Sequence, residues 1–136
     1  MDGPAIETLL DAAFGPARHA LPSYFLRDGI DPVAELCFVA QQRGVIVGTI
    51  RYWPLAIPGA RSALLLGPIA VDAAHGDLGI GSRLIEHSLS AARAAMTPWR
   101  PSAPPAISAV SDFIRRWNSL SNFRPRWRQI DFMPWN

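Results

Sequence analysis

Residues 66–93 read LGPIAVDAAHGDLGIGSRLIEHSLSAAR, and this stretch decides the fold. An apolar segment ends at Val71, glycines follow at positions 76, 79 and 81, and apolar residues then recur at helical spacing as far as Ala92. A strand, a glycine-bearing loop and a helix therefore follow one another. The first N–H groups of such a helix have no partner within it, and the helix dipole adds partial positive charge. The loop is therefore suited to a phosphate or pyrophosphate.

The apolar run from Ala63 to Val71 contains a proline. A run with so few polar residues is typical of a central strand that is covered on both faces. Pro68 has no N–H to donate to a neighbouring strand. The sequence therefore predicts a bulge or splay at Gly67-Pro68, where backbone groups are freed for another partner.

The glycine pattern Gly76-x-x-Gly79-x-Gly81 matches neither of two common phosphate-binding motifs. It is not the dinucleotide motif GxGxxG, and the chain contains no lysine, which excludes the P-loop motif. Glycines before a helix also serve turn geometry alone. A structural role and a ligand-binding role are both open on this pattern.

Two helices are predicted upstream of this stretch. The first is capped at Asp2 or Gly3 and stops at Gly15-Pro16. Its apolar residues at helical spacing are Ile6, Leu9, Leu10, Ala13 and Phe14. The second is predicted from about Ala17 to Arg27 and ends before Gly29, with three residues facing inward: Leu21, Tyr24 and Phe25.

A hairpin is predicted between these helices and the apolar run. Residues 36–42 and 45–53 are rich in β-branched and aromatic residues, which favours strands. The segment Gln41-Gln42-Arg43-Gly44 forms the turn between them. Prolines at positions 54 and 58 then predict a loop before the third strand, at 63–71.

Composition limits the class of protein. The chain has 136 residues, of which 49% are hydrophobic and 18% charged, as expected for one globular domain and not for a disordered chain. No apolar run reaches the roughly 20 residues that span a bilayer. The single Cys37 excludes a disulfide framework and a multi-cysteine zinc site, so no metal is expected and the cytoplasm is the default location.

The character of the chain changes near Ala95. Residues 1–95 hold seven Arg against nine acidic residues, whereas residues 96–136 hold six Arg against two. Four of the five tryptophans lie in this second part. We therefore divide the chain into a core, 1–95, and an atypical tail, 96–136. Within the tail, the basic aromatic run at 123–128 would suit single-stranded nucleic acid.

The stretch at 66–93 resembles the acetyl-coenzyme A-binding core motif of the GNAT N-acetyltransferases, which is an apolar strand, Q/R-x-x-G-x-G/A and a helix. The segments DAAFGPARHA (11–20) and VGTIRYWPLAI (47–57) are also similar to this superfamily, particularly to its YhbS-like group. The resemblance covers roughly residues 6–95. It implies an α+β, three-layer α/β fold of GNAT type. Its mixed sheet is built from the strands near 36–42, 45–53 and 63–71, with helices on both faces.

The resemblance also implies a cosubstrate and its binding residues. Acetyl-CoA (acetyl-coenzyme A) would donate an acetyl group to an amine acceptor, either a small molecule or a peptide. The backbone of three strand residues would receive the pantetheine arm: Ile69, Ala70 and Val71. The glycine segment would cradle the pyrophosphate, through Gly76, Asp77, Leu78, Gly79, Ile80, Gly81 and Ser82. The motif's Gln/Arg position falls on Gly76, and its usual basic residue falls on Leu78.

The catalytic half of the family is not recognisable. Members often use a tyrosine after the core helix to protonate the leaving thiolate, and here no Tyr follows Tyr52. Catalytic residues are therefore unknown. Without the usual closing strands, apolar surface of the core would stay uncovered, and we expect low stability or association, for example as a homodimer.

We interpret Met96–Asn136 as an out-of-frame translation of the family's C-terminal half. Tryptophan has one codon, so in the neighbouring frame a residue followed by Trp becomes Leu, Met or Val, and Trp followed by Asn becomes Glu. Both Arg116-Trp117-Asn118 and Pro134-Trp135-Asn136 then give an aliphatic or Met residue followed by Glu. A genuine, lineage-specific tail is the alternative.

Three functions are compatible with these features. The first is an acetyl-CoA-dependent N-acetyltransferase, and the second is a truncated or frame-shifted member that at most binds coenzyme A. The third is a nucleic-acid-binding module that uses the basic tail, which we regard as the least favoured.

Several single residues have ordinary structural interpretations. We expect His75 and His87 to be solvated or hydrogen-bonded histidines and not acid–base groups. Cys37 is expected to fill the core. Tyr52 and Trp53 either pack or line an acceptor cleft near the splay, with packing favoured.

Overall fold

The computed structural model describes residues 3–55, 58, 63–96 and 129–135. The elements are, in chain order, α1 (Gly3–Phe14), α2 (Pro22–Phe25), β1 (Phe38–Gln42), β2 (Val45–Leu55), β3 (Ala63–Val71), α3 (Ile80–Met96) and β4 (Asp131–Pro134). Short 3-10 helices lie at Pro16–Ala20, Ala34–Leu36 and Ala73–Leu78. The predicted strands at 36–42, 45–53 and 63–71 are confirmed to within a few residues.

The four strands form one sheet in the order β3-β2-β1-β4. Every pairing among the described residues is antiparallel, which corrects our expectation of a mixed sheet. The reason is that short loops join β1, β2 and β3, whereas a parallel pair needs a longer crossover connection. The tightest loop is the predicted turn, where Arg43 and Gly44 both take positive φ, 51° and 80°.

Helices cover both faces of the sheet, as the three-layer prediction required. On one face α1 packs Ile6, Leu9 and Leu10 against Val39 and Ala70. On the other face, buried residues of α3 meet side chains from β1 and β2 in the larger core cluster, which includes Phe38, Ile50, Tyr52, Ile80, Leu84 and Ala92. The fold is therefore α+β, with the sheet between two apolar layers.

Gly48 lets α3 lie close to the sheet. A Cβ placed on this β2 residue would stand 3.1 Å from both Ile80 Cγ2 and Leu84 Cδ1. Both side chains are fully buried and have little space in which to move. The glycine therefore fixes how near the start of α3 comes to the middle of the sheet.

The predicted helix over 17–27 is wrong in its continuity. A 3-10 helix ends at Ala20, Leu21 is extended (φ −69°, ψ 142°), and α2 then spans only Pro22–Phe25. A residue before proline is sterically disfavoured in the helical region, so Pro22 breaks the helix. Leu21 and Phe25, expected to face inward, are 48% and 72% exposed, and only Tyr24 is partly buried.

The described part of the tail joins the sheet. β4 pairs with β1 from Phe38↔Pro134 to Gln41↔Asp131, and Ile130 is buried in the core cluster under α3. Residues 97–128, with the basic aromatic run at 123–128, lie outside the described residues. The division of the chain at residue 95 and the frame-shifted origin of the tail stay predictions.

Candidate functional site

The predicted bulge is present in β3. Ile50 pairs with Ile69 and Tyr52 pairs with Leu66, so two β3 residues, Gly67 and Pro68, stand opposite the single Arg51. Their peptide bond is cis. Gly67 has φ 133°, which is a strained backbone conformation for any residue other than glycine. The strand therefore bends at this point.

The bulge frees a backbone carbonyl, which two side chains then hold. The indole Nε1 of Trp53 donates to Gly67 O at 2.7 Å, and Arg27 Nη1 donates to the same oxygen at 3.3 Å. Trp53 comes from β2, and Arg27 follows α2. One carbonyl therefore ties the bulge to its neighbouring strand and to the helical segment above it.

The residues expected to receive the pantetheine arm directly follow the bulge. Ile69, Ala70 and Val71 pair with Ile50, Thr49 and Gly48 of β2 on one side. On the opposite side of β3 no strand pairs with it within the described ranges. Ala70 turns its side chain to the α1 layer and Ile69 and Val71 pack with the α3 layer, so the strand offers its backbone along this edge.

The glycine segment divides into two parts. Gly76, Asp77 and Leu78 belong to the 3-10 helix, Gly79 ends it with φ 76°, and α3 begins at Ile80. We expected the whole segment to open the helix, but the left-handed Gly79 separates the two pieces. The N–H groups of the first helical turn therefore come from Ile80, Gly81 and Ser82.

Turn geometry explains one of these glycines and leaves another unexplained. Gly79 needs its positive φ, whereas a Cβ on Gly76 would meet no atom of the described residues within 4 Å. A Cβ on Gly81 would make an ordinary contact with Val71 Cγ2 at 3.6 Å. The surface beside the start of α3 is thus open around Gly76, which fits close approach of a phosphate group to the backbone.

A cleft of about 270 Å³ opens beside the bulge. It lies between the end of α1, the segment around α2 and the middle of β3. Its wall is mostly apolar, with Phe14, Leu21, Leu65, Leu66, Gly67, Pro68 and Ile69, and its polar members are Arg18, Ser23, Tyr24 and Arg27. The cleft therefore reaches Ile69, the first residue of the expected pantetheine segment.

Among the described residues of this wall the cations are Arg18 and Arg27, and all three guanidinium nitrogens of Arg18 donate hydrogen bonds. It is 3% exposed, its Nε donates to Asp11 at 2.8 Å, and its two Nη atoms donate to Glu7 and to the hydroxyl of Tyr24. Burial by itself lowers the pKa of Arg18, but the hydrogen bonds to Glu7, Asp11 and Tyr24 outweigh it and raise the pKa. Arg18 thus stays protonated, and its positive charge is balanced by the carboxylates that it contacts.

Arg27 is the other cation, and its surroundings differ. It is 7% exposed, and its hydrogen bonds go to two backbone carbonyls, Ser23 O and Gly67 O. Its guanidinium lies 3.9 Å from the ring centre of Tyr24 and 5.1 Å from that of Trp53. No carboxylate of the described chain lies within ion-pair distance of it, and burial lowers the pKa of Arg27.

A second cleft of about 300 Å³ adjoins the first and shares Arg18, Tyr24 and Arg27 with it. Trp53 lines this second cleft, as the acceptor-cleft interpretation of that residue requires. Tyr52 does not line either cleft. Its hydroxyl is 2.9 Å from Ser88 Oγ in the core beneath α3, so Tyr52 is a packing residue.

Sequence reasoning did not single out Arg18 or Arg27. A signal for Arg18 is present, because Glu7 and Asp11 are four residues apart on α1 and therefore share a face that favours a cation. Arg27 has no comparable signal. It meets Gly67, 40 positions away, only when α2 packs over the bulge.

His75 and Cys37 have the structural roles expected of them, whereas His87 packs against aromatic rings. His75 is held between Asp72 Oδ2 and Gln42 Oε1, both at 2.8 Å. His87 contacts the ring of Phe38, and burial, helped by Arg83, lowers its pKa. Cys37 is fully buried, and burial raises the pKa of its thiol.

Neither a metal-ligand cluster nor a long apolar helix is found among the residues that the structure describes. Within residues 3–55, 58, 63–96 and 129–135, no three His, Cys, Asp or Glu side chains are grouped so that they could hold one metal ion. In the same ranges no helix is long and apolar enough to cross a bilayer.

Comparison with known proteins identifies the family. The model of the acetyltransferase (GNAT) family matches residues 4–98, a span that runs from α1 through α3 and contains the bulge, the glycine segment and both clefts. No curated protein and no solved structure matches the chain. Since the family model covers more than two thirds of the sequence, this chain belongs to the GNAT acetyltransferase family.

Proposed function

We propose that this protein is an N-acetyltransferase that moves an acetyl group from acetyl-CoA to the nitrogen of an amine. One observation carries the proposal beyond family membership. The cleft beside the bulge reaches Ile69, which lies on the edge of β3 that no described strand pairs with, so an acceptor and an acyl donor can meet at Gly67–Ile69. The acceptor is a small molecule or a peptide amine.

Acetyl-CoA fits the residues that the chain presents. The edge of Ile69, Ala70 and Val71 offers extended backbone for an amide-containing arm, and the first turn of α3 offers N–H groups to a pyrophosphate. When bound, acetyl-CoA would supply an activated thioester: the C–N bond to the amine forms as the C–S bond breaks, coenzyme A leaves as its thiol, and that thiol takes up the proton that the amine loses. Leu78 stands where the family usually has a basic residue, so phosphate contacts here rest on backbone N–H groups.

The chain's own residues position the reactants. Trp53 and Arg27 hold Gly67 O and so fix the bent backbone between the cleft and the β3 edge. The apolar wall of the cleft excludes water from the acceptor. This arrangement lowers the cost of bringing two substrates together, which is a large part of catalysis in a two-substrate reaction.

The test is a titration of acetyl-CoA against the wild type and a Gly76→Glu variant. The new side chain has open space, so the fold should be unaffected, but its carboxylate would repel a pyrophosphate at the start of α3. We expect acetyl-CoA affinity, measured by calorimetry, to fall by about tenfold or more, which corresponds to ~1.4 kcal/mol.

Ala94→Glu is the matched control, since Ala94 is exposed near the other end of α3 and gains the same charge about 20 Å along the helix from the glycine segment. Its affinity for acetyl-CoA should equal that of the wild type. Release of free thiol with a panel of amines then reports transfer. The proposal fails if the wild type neither binds acetyl-CoA nor releases thiol, or if both variants bind equally.

The tail motivates a second candidate, a YhbS-like member that binds acetyl-CoA without turnover. The observation behind it is that no tyrosine follows Tyr52 and that 96–136 differs so strongly in composition from the rest. The coding DNA from Ser90 to the stop decides its origin. A neighbouring open frame that supplies further strands and a tyrosine means a damaged copy of a cytoplasmic enzyme, whereas its absence means a native tail.

A further inference from the structure

We propose that Arg27 binds a carboxylate of the acceptor, so that the acceptors are apolar α-amino acids or closely similar amines with a free carboxylate. This inference rests on the proposed acetyl transfer and adds the substrate class. It follows from the charge, burial and position of Arg27 in the cleft beside the bulge.

The wall of the cleft beside the bulge carries positive charge. Its two cations are Arg18 and Arg27. Arg18 and Arg51 together balance Glu7 and Asp11, whereas Arg27 has no carboxylate partner within the part of the chain that the structure describes. The wall therefore carries one uncompensated positive charge, which matches a ligand with a single negative charge.

Burying the charge of Arg27 costs free energy. A buried ion without a counter-ion is unfavourable, and the rings of Tyr24 and Trp53 compensate Arg27 only in part. A guanidinium presents paired N–H donors that match the two oxygens of a carboxylate. Asp28 follows Arg27 in the chain and lines the neighbouring cleft with it, but Asp28 is exposed and does not lie within ion-pair distance of Arg27.

The rest of the cleft wall is mostly apolar. Phe14 and Leu21 are about half exposed although they face the cleft, and Leu66, Pro68 and Ile69 complete an apolar surface. At about 270 Å³ the cleft is at the small end of small-molecule sites. A ligand that carries an apolar side chain next to a carboxylate matches both the apolar residues of the wall and Arg27.

The position of Arg27 places a bound carboxylate beside the proposed site of acetyl transfer. Arg27 Nη1 donates to Gly67 O, so a carboxylate held by Arg27 lies next to the bulge. The α-amino group of an amino acid is one carbon away from its carboxylate. The nitrogen is thus presented beside the bulge, at the edge of β3.

The experiment compares three kinds of acceptor: L-phenylalanine, L-leucine and L-methionine; their amides; and 2-phenylethylamine. With the wild type we expect kcat/KM to be highest for the free amino acids. Arg27→Gln should raise KM for the amino acids by about tenfold or more, because one charge-assisted contact is lost. Because Arg27 also holds Gly67 O, a smaller loss shared by all acceptors is expected as well, so the readout is the rise in KM for the amino acids relative to their amides.

Two further variants sharpen the result. Arg43→Gln removes the same charge from an exposed residue of the β1–β2 turn and should leave all KM values unchanged. Arg27→Lys keeps the charge but loses the paired donors, so its KM for the amino acids should fall between wild type and Arg27→Gln. Circular dichroism and the melting temperature establish that each variant is folded.

The two proposals fail in different ways. Equal kcat/KM for amino acids and amides, or an equal loss on all acceptors in Arg27→Gln, overturns carboxylate recognition while leaving acetyl transfer in place. If no amine is acetylated and acetyl-CoA does not bind, the proposed function fails. Titration of L-phenylalanine alone then decides the site: binding lost in Arg27→Gln supports it, and no binding to the wild type overturns it.

Discussion

At the scale of single residues, Arg18 determines how the first helix meets the segment that follows it. Its guanidinium connects Glu7 and Asp11 of α1 to the hydroxyl of Tyr24 in α2. Glu7 also accepts from Arg51 Nη2 of β2 at 3.3 Å. A single buried side chain thus joins both helices to one face of the sheet and forms part of the cleft wall.

Replacing Arg18 by Met should lower the free energy of unfolding by about 1–3 kcal/mol. The loss is smaller than for a fully buried pair, because Glu7 and Asp11 are about half exposed and water can take over their contacts. Urea denaturation measures it. Arg43→Met, at an exposed turn, should change stability by less than about 0.5 kcal/mol, and an equally small effect at Arg18 would contradict this account.

At the scale of elements, β4 shows that the end of the chain is packed against the core. β4 extends the sheet beside β1, and two side chains, one just before the strand and one within it, hold it from the α3 side. Ile130 is 7% exposed in the core cluster, and Phe132 stacks with His87 at 6.0 Å between ring centres. β4 is therefore held by side chains as well as by backbone pairing.

Ile130→Ala should destabilise the protein by about 2–4 kcal/mol, because a buried aliphatic side chain is replaced by a cavity. Met133→Ala is the comparison within the same segment, since Met133 is 44% exposed and should cost well under 1 kcal/mol. Guanidinium denaturation of both variants gives the two values. Equal and small losses would show that residues 129–135 do not pack in solution as the structure has them.

At the scale of the whole molecule, several titrating groups together fix a pH range of maximum stability. On the acid side burial, with repulsion from Arg83, lowers the pKa of His87. Burial tends to raise the pKa of Glu7, but Arg18 and Arg51 outweigh it and lower the pKa. On the alkaline side burial raises the pKa of Cys37 and of Tyr52.

The sign follows from which state binds more protons. A lowered pKa in the folded protein gives stability that is lost as pH falls, first below about 6.5 for His87 and then below about 4.5 for Glu7. A raised pKa gives stability that is lost as pH rises past about 9 for Cys37 and 10 for Tyr52. Unfolding free energy measured against pH should therefore be greatest between about 6.5 and 9.

His87→Phe provides the check on the acid side. It keeps a ring between Phe38 and Phe132 and removes the titration, so the decline between about pH 7 and pH 5 should become shallower than in the wild type. An unchanged decline would show that other groups carry it.

Local chemistry allowed the sequence by itself to determine the order of strand, bulge, loop and helix. Pro68 cannot donate to a ladder, Gly79 takes a positive φ, and Arg43-Gly44 closes a tight hairpin. Each of these depends on a residue and its immediate neighbours. The same reasoning failed at 17–27, where helical spacing was given more weight than the restriction that Pro22 places on Leu21.

Only the tertiary structure decided where the cleft lies and which side chains face it. Gly67 O is held by Trp53 and Arg27, which are 14 and 40 positions away in the chain. Whether Arg27 finds a counter-ion depends on the packing of α2 over the bulge, and no pattern of spacing encodes that. Periodicity tells which face of an element is apolar, whereas the neighbours that a buried charge meets are set by how the elements come together.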